Sequence, residues 1–240
     1  MPADTTTINL TNHFLIAMPG LKDELFGKSV VYLCEHNERG ALGLIINKPS
    51  SLNVSELFTK VELPLQREDL KDAPVFLGGP LQQERGFVLH EPMGSAHTVG
   101  SDETPPAVAK ALRDAVVKAA GEDEALQITV PGEAKEGEAS DEQPAYASTM
   151  TIPGGLEMTT SRDVLEAISY GHGPHKVLMT LGYASWGEGQ LESELGENSW
   201  LTVQADPAVI FDTPVAQRYE RAMALLGLQP WMLAPGSGHA

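Results

Sequence analysis

Residues 29–34 read SVVYLC, residues 41–47 read ALGLIIN, and Asn37-Glu38-Arg39-Gly40 stands between them. Branched and aromatic side chains are stiff at their first torsion and suit a pleated surface. Asn and Gly supply the backbone freedom that a reversal requires. The three segments together predict a β-hairpin, and this commits the chain to a sheet from its first quarter.

The flanking residues extend the pattern. Residues 14–17 form a further short apolar strand, and Lys48-Pro49 is expected to end the hairpin, because proline cannot donate to a ladder. Asn53 with Glu56 three positions on is a capping-box signal for a short helix through Phe58. Residues 73–77 read as a strand stopped by Gly78-Gly79-Pro80, with 86–90 as its expected partner and 81–85 as the link. Further on, Thr160 or Ser161 caps a helix to Tyr170, with Asp163 in its first turn, and Gly171 stops it. Residues 176–181 read as a buried strand, Gly182 as a turn, 189–195 as a short helix, and 201–203 and 209–211 as strands. A last helix opens at Pro214 and ends near Gly227, and 229–240 is expected to be a flexible tail. Strands gather early and helices interleave late. The fold class is therefore α+β, a single domain with a mixed or largely antiparallel sheet flanked by helices.

Composition interrupts this domain once. Residues 101–148 carry 11 acidic and 4 basic side chains, so −7 of the chain's net −17 lies there. Pro105-Pro106 open an expected helix to Gly121, 126–130 an expected strand, and 131–144 a polar loop with too little apolar surface to order itself. The stretch from about 98 to 149 reads as an acidic insertion into the domain spanning 1–228.

Charge narrows the function classes. With 16 basic against 33 acidic residues and no basic run, the chain lacks the cations that neutralise phosphates, so nucleic acid is disfavoured as a partner. Anionic membrane surfaces are disfavoured for the same reason, and no apolar stretch approaches the ~18 residues of a membrane helix. The N-terminal MPADTTTINL lacks the basic and apolar regions of a secretion signal, and Cys34 is the single cysteine. The expected location is therefore the cytoplasm.

Several motifs carry chemistry. Cys34 and His36 stand two apart at a strand end, where a regular strand would put both on one face and the imidazole could activate the thiol. A small buried hydrophobe is the simpler reading of that cysteine. Lys48 after Asn47 could hold an anion, and Thr160-Ser161 at a helix start offers free N–H groups to one, although capping explains the same residues. Gly78-Gly79-Pro80 lacks the spacing of a phosphate loop. His172 and His175 flank Gly173-Pro174 and share no helical face, so no metal set is expected. The segment 182–191, GYASWGEGQL, places aromatic residues between glycines, followed by Gln190 and Glu194 on one helix face. It could line a cleft.

The blocks at 12–49, 75–90, 159–168, 177–195, 198–203 and 209–215, in this order, resemble the YqgE/AlgH family. The resemblance covers most of 12–97 and 150–228. It implies part of the sheet curled into a barrel-like unit, in a bacterial cytosolic protein of a family labelled uncharacterised or as candidate transcriptional regulators. Family members often lack the acidic stretch. The matching motif positions give a candidate surface: His36, Asn37, Asn47, Lys48, Gly79, Arg85, His90, Ser161, Asp163, Tyr183, Trp186 and Gln190. The expected function is a non-enzymatic regulator binding a small ligand or a protein partner, without cofactor. The alternative is an enzyme or redox sensor using Cys34 with His36.

Overall fold

The computed structural model describes residues 9–93 and 145–233. Residues 9–92 and 146–233 belong to one compact unit. The expected helix at 105–121, strand at 126–130 and loop at 131–144 lie outside the described residues, as does the expected tail 229–240 beyond 233; its start is not loose chain but a 3-10 turn over Pro230–Leu233.

The sheet holds ten strands. These are β1 (His13–Ala17), β2 (Val30–Asn37), β3 (Gly40–Ile45), β4 (Pro49–Asn53), β5 (Pro74–Leu77), β6 (Leu81–His90), β7 (Thr149–Ile152), β8 (Leu156–Thr159), β9 (Val177–Gly187) and β10 (Trp200–Gln204). Their order is β10-β1-β2-β3-β9-β6-β8-β7, antiparallel throughout, with β5 joined parallel to β9 and β4 antiparallel to β5. The sheet curls strongly into a half-barrel, and the class is α+β as the pattern predicts. The predicted β2–β3 hairpin forms around the Asn37–Gly40 turn.

Helices α1 (Val54–Lys60), α2 (Arg162–Ser169), α3 (Gln190–Gly196), α4 (Pro207–Phe211) and α5 (Arg218–Ala224) cover the sheet. The Asn53–Glu56 capping box closes in both directions, at 2.8 and 3.0 Å. On β1 and β2 alternate side chains enter different cores. Phe14, Ile16, Val30 and Tyr32 pack with Val209, Ile210, Ala222 and Met223 of α4 and α5. Leu15, Ala17, Val31 and Leu33 pack with Trp186, Leu191 and Trp200. A third core joins Val54 and Phe58 of α1 to Val164 and Ile168 of α2. Arg218 locks α5 down: its guanidinium lies 4.9 Å from the Phe76 ring centre and donates to the carbonyls of Ile46 and Thr213.

Several elements differ from the sequence reading. Pairing within the hairpin stops at Ile45, ahead of Lys48-Pro49, but the sheet resumes at once, with Pro49 beginning β4. This proline is the first residue of a strand paired only with β5, where a missing N–H removes little. Strands β5 and β6 do not pair with each other; each pairs with β9, and 81–85 is the start of β6, not a loop. Gly182 is not a turn but a left-handed residue inside the eleven-residue β9, at φ 73. The β7–β8 hairpin has no counterpart among the expected elements. Residues 209–211 are helical, because Asp206 caps Ala208 N at 2.9 Å and Pro207 occupies the first helical position.

Candidate functional site

One surface pocket gathers several of the motifs. It measures about 390 Å³ and is lined by Leu21, Asp23, Phe26, Pro80, Ser185, Trp186, Gln190, Glu194, Ser199 and Trp200. Trp186 near the end of β9 and Trp200 at the start of β10 stand edge to face, 6.1 Å apart at 83°. Phe26 closes the group at 5.6 Å from Trp200 and 6.3 Å from Trp186. Glu194 of α3 sits between the two indoles, and its Oε2 accepts Trp186 Nε1–H at 2.9 Å and Trp200 Nε1–H at 2.8 Å. Gln190, one turn earlier, donates to Glu194 Oε1 at 3.0 Å and accepts Gly187 N–H at 3.1 Å.

Four further motif positions, Asn47, Lys48, Gly79 and His36, support the elements that form this pocket. Asn47 clamps the loop that carries Phe26: it accepts from Val30 N at 2.8 Å and donates to Lys28 O at 2.9 Å. Lys48 Nζ donates to Gly27 O at 2.7 Å, so its charge serves the loop and not an anion. Gly79 brings Pro80 against β9, where a Cβ would lie 2.1 Å from the Tyr183 carbonyl carbon. No side chain fits there. His36 accepts Leu10 N–H on Nδ1 at 3.0 Å, so its proton is on Nε2, which donates to Glu192 of α3 at 2.9 Å. Tyr183 turns to the opposite face and packs against Phe87 at 5.5 Å. Asn37 is spent within its turn, donating to Glu35 and accepting from Arg39 N.

The structure separates Cys34 from His36. The β2–β3 register shifts between Leu33 and Glu35, which makes Cys34 the extra residue of a bulge. The shift reverses the facing beyond it. Cys34 enters the core under α4 and α5, while His36 pairs with Ala41 and sits on the Trp186 side. Cys34 is 2% exposed, and burial pushes its thiol far above the ordinary range. A thiolate nucleophile activated by His36 has no basis in this geometry.

Of Arg85, Ser161 and Asp163, Ser161 lines a second, smaller cleft of about 260 Å³ between α1, β6, β9 and the start of α2, and the other two are chain neighbours of its lining residues. Arg85 donates to Thr160 Oγ1 at 3.2 Å. The anion position at the helix start is taken by Asp163 itself, which accepts Val164 N–H and Ala147 N–H, both at 2.8 Å. His90 is fully buried; its Nδ1–H donates to Glu91 O at 2.8 Å, and Nε2 accepts from Thr159 Oγ1 at 2.9 Å. Glu157 lies beside it with Oε2 unpartnered among the described residues. Burial lowers the imidazole of His90 and raises the carboxyl of Glu157. Among the described residues no group of three His, Cys, Asp or Glu is placed to hold a metal ion.

Phe26 and Trp200 are pocket residues that no local motif marks. Both lie inside blocks that carry the family resemblance, and for Trp200 composition is a further signal: the chain has three tryptophans, and two of them meet here.

Fold and site define an α+β half-barrel protein with an aromatic, carboxylate-floored surface pocket. The AlgH-like family model matches residues 14–231, and the chain belongs to that family. It is 65% identical over 240 residues to a UPF0301 protein of Paracidovorax citrulli and 58% identical to one of Variovorax paradoxus, each match covering all of both chains. These relatives therefore match the chain through its acidic stretch as well. The solution structure of the AlgH protein from Pseudomonas aeruginosa is 38% identical, covers all of both chains and superposes with a TM-score of 0.61. A crystal structure of a Corynebacterium diphtheriae protein shares the fold at 16% identity, with a TM-score of 0.58 over 95% of this chain and 93% of its own.

Proposed function

We propose that the chain is a non-enzymatic regulator of the bacterial cytosol that acts by binding a small ligand or a segment of a partner protein, and that the Phe26–Trp186–Trp200 pocket is where it binds. One observation carries this reading. The motifs at 36, 47–48, 79–80 and 186–194 all support the same pocket, yet its central carboxylate is held by two indole N–H groups and an amide. Glu194 is thus fixed as an acceptor, and its hydrogen-bond partners are two indoles and an amide, not the hydroxyl of Ser185 or Ser199 that a general base would have to activate. Large rigid aromatic walls with a few oriented polar groups are what binding pockets use.

Direct contact with nucleic acid is not part of the proposal. The net charge is −17, and Arg67, Lys71, Arg162 and Lys176 are each paired with an acid. A regulatory effect on transcription would then pass through a partner. Among the described residues no helix is long and apolar enough to cross a membrane.

Ser185 is exposed on the pocket wall, so Ser185→Trp fills the pocket without entering a core. Native mass spectrometry of the protein isolated from its own cells should show an additional mass on the wild type that the variant lacks. The same mass on both, or a wild type that carries nothing, would defeat the proposal.

A further inference from the structure

What the pocket can bind follows from the polar atoms left free in it. Both indole N–H groups are spent on Glu194 Oε2. Gln190 has given its oxygen to Gly187 N and one amide hydrogen to Glu194. At the mouth, Asp23 uses Oδ1 for the backbone N–H groups of Leu25 and Phe26, at 2.9 and 2.7 Å, which leaves Oδ2 open. Among the described residues no Lys, Arg or His lines the pocket, and the ion pairs formed there involve neither Asp23 nor Glu194. A ligand meets Phe26, the parts of Trp186 and Trp200 that reach the pocket (the two indoles are 4% and 5% exposed), and two carboxylates without a countercharge. Ring faces carry the negative part of the aromatic quadrupole and attract cations. An anion would meet the same two charges as repulsion, with few donors to offset it.

We infer that the pocket takes an organic cation, an ammonium or guanidinium group on an aliphatic stem, with Glu194 as its charge partner and Phe26, Trp186 and Trp200 as its wall. The inference rests on the pocket being the binding site proposed above, and names the chemistry of what enters it. A free amine and a Lys or Arg side chain of a polypeptide present the same group. The test separates them.

The full chain carrying Trp231→Phe keeps Trp186 and Trp200 as its only tryptophans. Its fluorescence, and the two indole N–H resonances, are followed during titration with n-butylguanidinium, n-butylammonium, Nα-acetyl-arginine amide and the neutral isostere n-butylurea. The cations should give saturable changes, with butylurea at least tenfold weaker. Glu194→Gln should weaken the cations tenfold or more and leave butylurea unchanged. If that substitution unfolds the face, the exposed Asp23→Asn repeats the charge test with a smaller, few-fold loss. Tighter binding of the arginine amide identifies a polypeptide side chain as the source, and tighter binding of the free cations identifies a small amine. Equal binding of butylurea together with indifference to Glu194→Gln overturns the cation inference, as does silence of both indoles toward every probe. The Ser185→Trp comparison uses no cation and decides separately whether the pocket binds at all.

Discussion

Replacing Glu157 by Gln should stabilise the protein at pH 8 and leave it unchanged at pH 4. Glu157 is 7% exposed, and its Oε2 has no hydrogen-bond partner among the described residues. His90 Nδ1 stands 3.8 Å away, too far for a hydrogen bond, and directs its proton to Glu91 O. Burial raises the Glu157 carboxyl above its ordinary value of 4.5, so the native state holds this proton to higher pH than the unfolded chain. The stability from this group is present below that ordinary value and is lost as pH rises through the raised one. Above it, a carboxylate sits desolvated with an orphaned oxygen. An unsatisfied buried acceptor costs about 1–3 kcal/mol, and removing the charge should recover about 2 kcal/mol of this. In a chain of this size that is about 4–8 °C in melting temperature. His90 is shifted the other way. Its contribution is present above its ordinary 6.5 and is lost as pH falls through the lowered value, in wild type and variant alike. The difference between the two curves therefore isolates Glu157. Urea unfolding at pH 4, 6 and 8, with the slope unchanged, measures it. A variant destabilised by about 3–5 kcal/mol at pH 8 would mean that a buried imidazolium–carboxylate pair had been broken, and would refute the reasoning.

The other expectations are more local. Cys34 should alkylate ~100-fold or more slowly in the folded protein than in denaturant at pH 8, because the buried thiol reacts only after opening; equal rates measured by mass spectrometry would restore the thiolate reading. Gly79→Ala should cost about 3 kcal/mol or more or abolish folding, since its Cβ meets β9 backbone, whereas Gly86→Ala, with nothing within 4 Å, should change stability by no more than about 1 kcal/mol. Thermal melts of the two variants side by side would show no contrast if the close approach did not matter. Asn53→Ala should cost about 1 kcal/mol by opening both halves of the capping box; an unchanged urea midpoint would show that the cap adds nothing.

Where one residue class dictates a local conformation, the sequence was legible. The Asn37–Gly40 turn between two β-branched runs and the Asn53–Glu56 cap are read from neighbours alone. Elements that depend on a remote partner were not. Gly182 carries the signature of a turn, but the backbone of Gly78 and Gly79 passing against β9 makes it a kink within a strand. Val209-Ile210-Phe211 has strand chemistry, and a cap and a proline upstream outweigh it. The site divides in the same way. Trp186, Gln190 and Glu194 are linked by helical spacing and proximity along the chain, whereas Phe26 and Trp200 meet through the pairing of β10 with β1 and the Asn47 clamp on the loop that carries Phe26. The Cys34–His36 pairing fails on one bulge that no composition reveals.

Strand β9 has a consequence for how the chain is made. It is hydrogen-bonded to β3, β5 and β6, which precede it by about 90 to 150 residues, and it ends at residue 187 of 240. Translation delivers β3 and β6 long before their common neighbour exists, and β1 must wait still longer for β10. During that interval the first half of the chain holds apolar strands with unfilled edges, the kind of surface that seeds aggregation. Closure is therefore a late, long-range event, and a high contact order makes it slow. The −7 tract at 101–148 emerges within this waiting period, and its charge can keep the unfinished nascent chains apart.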